Sequence, residues 1–175
     1  MIEVIKKFEA VPVGYPDPPD GLSDHAAALD ASMLWARIEA YTAYRFTERE
    51  VVWTLRGDGG DEWHPSLAPV LSREAHIWAS DAWEAVPLLD GPLGVCLPVE
   101  GIYRITAHVG AGDVPAPVSE AYRRLAEYSA GIGSSADSFT AVNEGESSFE
   151  RSSTWAARAI QNSGAADLLR SYRRA

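Results

Sequence analysis

Cysteine, positive charge and long apolar runs are scarce in this chain, and each shortage excludes a class of protein. The single cysteine, Cys96, cannot form an internal disulfide, and its apolar neighbours favour a small buried hydrophobic residue over a nucleophile. No apolar run approaches the roughly 18 residues of a membrane span, and the N-terminus lacks the basic-then-apolar order of a signal peptide. A net charge of −10 argues against general nucleic-acid binding. We therefore expect a soluble protein without a membrane partner, made in a cytoplasm.

Motifs of catalysis and metal binding are equally scarce. The four histidines, at positions 25, 64, 76 and 108, have no metal-ligand spacing to one another or to the cysteine. The loop Asp58–His64 lacks the alternate spacing of a calcium loop and favours a glycine-rich hairpin turn. No phosphate-cradling loop, nucleophile elbow or Ser/His/Asp arrangement occurs. We expect no enzyme, no cofactor and no metal, although an uncharacterised hydrolase with a perturbed histidine or carboxylate stays a competing hypothesis.

Helical periodicity dominates the first part of the chain. Residues 1–10 read as a strand or an ordered arm, and prolines make residues 11–21 an extended linker. Ser23 or Asp24 caps a predicted helix that runs to about Tyr44. This helix carries two adjacent apolar stripes, more than a lone surface helix needs, so it is either central to the core or shared with a neighbouring subunit. The stripes are Ala27, Ala31, Leu34, Ile38 and Tyr41, and Leu29, Met33, Ala36 and Ala40.

The period then changes to two, which indicates strands. In the last of them, Tyr103, Ile105, Ala107 and Val109 share one face and Arg104, Thr106 and His108 the other. Strands separated by Gly, Pro and Asp clusters predict a small antiparallel sheet inserted between helices. The predicted strands are 51–55, 74–79, 93–97 and 102–109.

The C-terminal part is predicted to be helical, and the formal charge at its end is positive, whereas that of the preceding chain is negative. A helix is predicted from Pro117 to about Gly131, with Val118, Ala121, Tyr122, Leu125 and Ala126 on its core face. A mobile connection should follow, and then helical segments at about 152–160 and 163–172. From residue 151 onward the formal charge is +4, whereas the preceding 150 residues carry −14. A positive, amphipathic tail on an acidic body suggests a separate acidic or apolar partner.

These patterns predict an α+β protein with a mainly helical core, an inserted small antiparallel β-sheet and a C-terminal helical docking arm. The predicted organisation is an N-terminal arm and linker over 1–21, a core over 22–131, a flexible connection over 132–151 and the docking arm over 152–175.

The tryptophans of the β region allow two hypotheses. Trp53, Trp63, Trp78 and Trp83 fill the core or a subunit interface, or they form a sugar-stacking platform. A carbohydrate-binding, β-rich module is therefore the alternative function, although it leaves the basic tail unexplained.

Five stretches of the chain, taken in order, resemble the head-tail adaptor (connector) proteins of long-tailed phages and gene transfer agents. Residues 97–110 and 114–128 resemble that family's strand ending in Val-Gly, its Val-Pro loop and its helix with Arg-Leu-Ala-Glu-Tyr. Residues 44–53 and 69–72 resemble its helix-to-strand transition and first hairpin. The tail 163–173 resembles a Ser-Gly-Ala helix leading to Leu-Leu-x-Pro-Tyr-Arg, except that Ser171 replaces proline, so the helix could run one turn further.

The resemblance implies a virion structural protein of the neck, assembled in the host bacterial cytoplasm. It implies a homo-oligomeric ring of about twelve subunits below the portal protein, a stopper or tail terminator on the opposite face, and DNA that passes through without specific binding. An acidic channel agrees with this, since carboxylates repel phosphate. The expected portal-binding residues, on an arm loosely packed or disordered before assembly, are Leu168, Leu169, Arg170, Tyr172, Arg173 and Arg174, and the expected subunit interface is Leu29, Met33, Trp53 and Trp78.

Overall fold

A computed structural model describes residues 1–92, 94–110, 112–139 and 158–173, with only the backbone described for 133–139. Backbone contacts divide the chain into two compact units, each assembled from segments distant in sequence. The first unit comprises Met1–Gly14 and Ala43–Gly112, and the second comprises Tyr15–Thr42 and Asp113–Ala175.

The first unit is built of two antiparallel sheets. The larger sheet has five strands in the order β1-β2-β8-β4-β5, and the smaller has three in the order β3-β7-β6. The strands are β1 Glu3–Glu9, β2 Arg49–Gly57, β3 Glu62–Trp63, β4 Val70–Ala79, β5 Ala82–Ala85, β6 Leu89–Asp90, β7 Val95–Cys96 and β8 Gly101–Val109.

One face of the larger sheet carries the core of the first unit. Strand β8 alternates as its sequence predicts, with Tyr103, Ile105 and Val109 fully buried. Val51, Trp53 and Leu55 of β2 are buried on the same face, because the register pairs them with Ala107, Ile105 and Tyr103. Apolar residues of the smaller sheet and of the loops close this core: Trp63, Leu67, Val95 and Leu97.

An ion cluster fixes β1 in the first unit. Glu9, the last residue of β1, accepts hydrogen bonds from Arg45 Nη2 at 3.1 Å and Arg49 Nη1 at 3.3 Å. Both arginine side chains are nearly buried. Burial raises the pKa of Glu9, but the hydrogen bond and charge of Arg45, with the charges of Lys7 and Arg49, outweigh it and lower that pKa below its ordinary value.

The second unit is helical. Its elements are α1 Asp24–Ala27, α2 Ala31–Thr42, α3 Ala116–Phe139, α4 Ala159–Asn162, α5 Ala165–Leu168 and a 3₁₀ turn over Arg170–Tyr172. None of these described helices has the length and apolar character to cross a membrane.

The long helix predicted from Ser23 to Tyr44 is two helices. Ser23 caps α1 as predicted, since its Oγ accepts from the Ala26 N–H at 3.3 Å. The chain then breaks, and Asp30 accepts from the Ser32 N–H at 2.9 Å to begin α2. A second capping residue inside the apolar periodicity therefore divides the helix.

Helix α3 forms the core of the second unit. Its predicted core face is confirmed, because Val118, Ala121, Tyr122, Leu125 and Ala126 are all buried. The Tyr122 ring lies 4.8 Å from that of Trp35 in α2. The helix continues past Gly131 to Phe139, since an interior glycine costs only about 1 kcal/mol and no proline follows. Residues 140–157, which include most of the predicted connection, lie outside the described residues.

The prediction of a mainly helical core with a small inserted sheet is wrong. Among the described residues, helix and strand occur in comparable amounts, with eight antiparallel strands. Two features account for the difference. The segment 1–10, read as either a strand or an ordered arm, forms the full strand β1 and pairs along β2, and the two-residue strands β3, β6 and β7 are too short to show a period. The sheet therefore has a core of its own and is not an insert on a helical one.

Candidate docking surfaces

The C-terminal segment folds against α3 in the second unit. Gly164 adopts φ +72°, a left-handed conformation that suits glycine, and this turn separates α4 from α5. Beyond the turn, Ala165 and Leu169 are fully buried. Asn162 Nδ2 donates to the Tyr128 hydroxyl of α3 at 3.1 Å. These contacts fasten the segment, contrary to the expectation of a disordered or loosely packed arm, and Leu169 packs inward instead of serving as an exposed anchor.

The other predicted portal-binding residues face outward or lie at the edge of the segment. Arg170 and Arg173 are exposed, and Leu168 and Tyr172 are half-buried. Arg170 Nη2 pairs with Asp167 at 3.3 Å one turn away, but both side chains are about 80% exposed, so this pair adds little stability. The 3₁₀ turn over 170–172 continues the helical path where Ser171 stands in place of proline. Arg174 lies outside the described residues.

Arg173 has a defined partner within the second unit. Its guanidinium carbon lies 4.7 Å from the centroid of the Tyr41 ring in α2, and its Nη1 donates to the Tyr41 hydroxyl at 3.4 Å. This contact holds the end of the described chain at α2 and fixes the orientation of the Arg173 guanidinium.

A second charged group lies on α3 of the same unit. Glu120 accepts from Arg123 Nε and from Arg124 Nε, each at 2.8 Å. The hydrogen bonds from Arg123 and then Arg124 lower the pKa of Glu120 to about 2. Arg124 also lies beside the C-terminal turn, since a Cβ placed at Gly164 would approach its Nη1 to 3.4 Å.

The four residues expected at a subunit interface fall in different environments. Met33 is 45% exposed and Trp78 is 44% exposed, so both are available to a partner. Leu29 is half-buried. Trp53 is 1% exposed and its Nε1 donates to Ser66 Oγ, which places it in the sheet core and not at a surface. The alternation in the sequence puts Val51, Trp53 and Leu55 on one face of a strand, and that pattern alone predicts that Trp53 is buried.

The tryptophans do not form the four-membered platform that a sugar site would use. Trp53 and Trp63 are buried, with their rings in a T-shaped contact 5.2 Å apart. Trp78 and Trp83 form a second T-shaped pair on the opposite face of the larger sheet, also 5.2 Å apart. Arg104 lies 4.6 Å from the Trp83 centroid, so its guanidinium occupies the ring face on which a sugar would stack.

The polar candidates give no catalytic arrangement among the described residues. His108 Nδ1 lies 3.0 Å from Glu48 in an exposed pair, and His76 is half-buried on β4. Cys96 is half-buried, and burial, followed by the charge of Glu62, raises the pKa of its thiol, which opposes nucleophilic character. No group of three or more His, Cys, Asp or Glu side chains suited to a metal ion occurs in the part of the chain that the structure describes.

Sequence reasoning missed the open edge of the larger sheet at β1. Strand β1 is an edge strand whose Val4, Ile5 and Phe8 are each at least 50% exposed. At the other end of the sheet, β5 pairs only with residues 76–79 of β4. Before residue 76 the segment that follows β5 lies beside β4, since the Val86 N–H donates to the Ala75 carbonyl at 3.0 Å and Arg73 forms an ion pair with Asp90. The only sequence signal was the apolar character of the first ten residues, which does not show where the strand pairs.

No protein-family model matches this chain. No curated protein matches it either. Among solved structures it is similar to a chain described as "Neck of empty GTA particle computed with C6 symmetry", with 17% sequence identity, a TM-score of 0.47, and coverage of 98% of this chain and 96% of that one. The likeness is too distant to define a family or a function.

Proposed function

We propose that this chain is a virion structural protein, a head-tail adaptor that forms a ring below the portal and connects the capsid to a stopper or tail terminator. The proposal rests first on the order of the resembling stretches at 44–53, 69–72, 97–110, 114–128 and 163–173. In the structure these stretches correspond to defined elements: β8 ends at Val109-Gly110, and α3 begins at Ala116 after the Val-Pro loop.

The single observation that carries the portal-docking role is the arrangement of the C-terminal segment. Leu169 fixes the segment on the second unit, while Arg170 and Arg173 remain exposed beside half-buried Leu168 and Tyr172. Fixed cations next to apolar surface suit carboxylates on a protein partner, because arginine forms bidentate pairs with them. A segment ordered in advance also avoids the entropy of ordering on binding, which amounts to about 1 to 2 kcal/mol per residue. In this proposal the portal contact uses Leu168, Arg170, Tyr172, Arg173 and Arg174.

The ring and its channel belong to the same proposal. Met33, Trp78 and half-buried Leu29 offer apolar surface to neighbouring subunits. The acidic residues before position 151 supply the negative charge that would let DNA slide through the ring without sticking.

The portal contact can be tested by charge reversal with a matched control. The portal protein of the same genome is mixed with the wild-type chain, with Arg170→Glu and with Arg56→Glu, an exposed arginine on β2 outside the C-terminal segment. We expect Arg170→Glu to weaken portal binding by at least about tenfold, as expected for loss of a charge-assisted contact, and Arg56→Glu to bind as the wild type does. Equal binding by all three proteins would contradict the docking role of the segment.

A further inference from the structure

The face of the larger sheet opposite its core presents aromatic side chains next to cations. Trp78 and Trp83 lie directly across from each other on β4 and β5, and Trp78 is 44% exposed. Arg104 of β8 stacks on Trp83. The register puts Lys6, Thr54 and Arg104 at one level, on a line across β1, β2 and β8. We call the surface formed by Lys6, Trp78, Trp83 and Arg104 the aromatic face.

The aromatic face is cationic beside its tryptophans. Lys6 is exposed and Arg104 is half-buried, and neither forms an ion pair with another residue that the structure describes. A guanidinium that stacks through its face still donates hydrogen bonds through its edge. The carboxylates of this side of the sheet and of the loops that border it lie at other levels, at Glu3, Glu50, Glu74, Asp81 and Glu100. Two cations at one level therefore lack an acidic partner among the described residues.

The segment of residues 11–20, between β1 and α1, has the complementary chemistry. It adopts no helix or strand, and it contains two carboxylates, Asp17 and Asp20, but no cation. Its two valines are apolar and uncovered, since Val11 is 89% and Val13 is 107% exposed. An extended segment with apolar and acidic side chains suits a surface that is aromatic and cationic.

Proline restricts the shape of this segment. Its four prolines, at positions 12, 16, 18 and 19, fix their own φ, and a residue that precedes proline is confined to the extended region. Every residue of 15–19 belongs to one of these two classes, which favours a polyproline II helix. The three-residue period of that helix puts Pro16 and Pro19 on one edge, and Asp17 and Asp20 on another. Proline-rich helices of this kind dock in grooves lined by aromatic side chains.

The dimensions of the segment match those of the sheet. At a rise of about 3.1 Å per residue, Asp17 and Asp20 are about 9 Å apart. Lys6 and Arg104 are about 10 Å apart, because two strand spacings of about 4.8 Å separate β1 from β8. From Val13 to Asp20 the segment spans about 22 Å, and the sheet from β5 to β1 spans about 19 Å. A segment that crosses the strands can therefore place its two carboxylates at the two cations and Val13 near β5.

We infer that residues 11–20 of one copy dock across the aromatic face of the next copy, with the two carboxylates on the two cations and the prolines against Trp78. The segment of the same copy does not occupy this face, since Val13 and Trp78 are both exposed within the first unit. The contact joins two different surfaces and can repeat from copy to copy, which is the heterologous geometry that closes into a ring. The inference deepens the proposed function and rests on its ring, for which it names one contact.

Cross-linking of introduced cysteines tests the inference. In a Cys96→Ser background, Val13→Cys is mixed with Ala85→Cys, which lies on the same side of β5 as Trp83, and a short flexible bismaleimide is added over a concentration series. Glu84→Cys is the matched control, because Glu84 is the adjacent exposed residue and faces the other side of the sheet. We expect covalent dimers when Val13→Cys is mixed with Ala85→Cys, and at most background dimers with Glu84→Cys or from any single variant alone.

The contrary outcomes of the cross-linking are specific. Absence of the mixed dimer at every concentration, or equal yields with Ala85→Cys and Glu84→Cys, overturns the inference. The double variant Val13→Cys/Ala85→Cys identifies which copy supplies the segment. Multimers support docking on the next copy, whereas a cross-linked monomer without multimers shows that the segment folds back on its own sheet, which also overturns the inference.

Charge exchange supplies a second test that does not depend on introduced thiols. Lys6→Glu should reduce self-association of the full chain, measured by sedimentation, by at least about threefold, because an attractive pair with Asp20 becomes a repulsive one. The double variant Lys6→Glu/Asp20→Lys should restore it. No reduction, or a reduction without rescue, overturns the contact. Portal binding by the Arg170 series is read separately, so failure of this contact leaves the portal result intact, and failure of portal binding does not mimic loss of the contact.

Discussion

Arg173 stacks on Tyr41, with its guanidinium carbon 4.7 Å from the ring centroid and Nη1 3.4 Å from the hydroxyl oxygen. The contact joins two residues separated by 132 positions in the sequence, at the end of the C-terminal segment and in α2 of the same unit. Arg173 therefore belongs to the folded second unit and also presents exposed surface. A portal that uses this cation would meet it already oriented.

The Arg173–Tyr41 contact should be measurable by a double-mutant cycle. Arg173→Leu and Tyr41→Leu, separately and together, should give a coupling of about 0.5 to 1 kcal/mol in the free energy of unfolding, as expected for a cation over an aromatic ring at a partly exposed site. Urea denaturation supplies the four free energies. Tyr41→Phe is the control, because it removes the hydroxyl and keeps the ring, and it should retain most of the coupling. Additive single effects would mean that the stacking contributes nothing.

Leu169 should be a stability residue. Its side chain is fully buried, so Leu169→Ala should lower the free energy of unfolding by about 2 to 5 kcal/mol, the cost of the lost apolar burial and the cavity left behind. Arg170→Ala, next to it and exposed, should change it by less than about 0.5 kcal/mol. Thermal or urea unfolding of the two variants makes the comparison. An unchanged midpoint for Leu169→Ala would restore the hypothesis of a loosely packed arm.

Sequence periodicity predicted which side chains are buried where the burial pattern follows from a single strand or helix. The alternation in β8 identified Tyr103, Ile105 and Val109 as buried, and the helical spacing in α3 identified Tyr122 and Leu125. Each of those patterns is set by the element's own geometry, with a period of 2 or 3.6 residues. This is why one strand or helix is enough to reveal it.

Features that depend on pairing between distant segments were not predictable. Pairing of β1 with β2 joins segments more than forty residues apart, and nothing in either strand specifies that partner. Leu169 shows the same limit at the candidate site, since its spacing from Leu168 and Tyr172 predicts an apolar cluster but not which member faces inward. Trp53 was assigned to an interface although its own strand pattern placed it in the core, so in that case the local signal was sufficient.

The free energy of unfolding should depend on Glu9 more than on the exposed Glu3, although both residues lie in the edge strand β1. Its carboxylate is shared by two nearly buried guanidinium groups, from Arg45 and Arg49. Glu9→Gln should lower the free energy of unfolding by about 1 to 3 kcal/mol, because both cations lose a charged acceptor while they stay buried. Glu3→Gln, on the same strand and exposed, is the matched control and should be close to neutral. Equal stability of the two variants would show that the cluster contributes no more than a surface pair.

The pH dependence of stability should report on Glu120. Hydrogen bonds from Arg123 and then Arg124 lower its pKa in the folded chain to about 2, from an ordinary value of 4.5. The unfolded chain therefore takes up the proton first as the pH falls, so the contribution of Glu120 is complete above about pH 4.5 and is lost progressively down to about pH 2. Glu127 acts in the same direction, because the N–H and then the hydroxyl of Ser23 lower its pKa.

Urea unfolding across this pH range tests the contribution of Glu120. As the pH falls, the free energy of unfolding should decline less steeply for Glu120→Gln than for the wild type, whereas the exposed Glu100→Gln should follow the wild-type curve. Since all three members of the Glu120 group are partly exposed, added salt should reduce the difference. Parallel curves for wild type and Glu120→Gln would show that the arginines on α3 do not hold this carboxylate in solution.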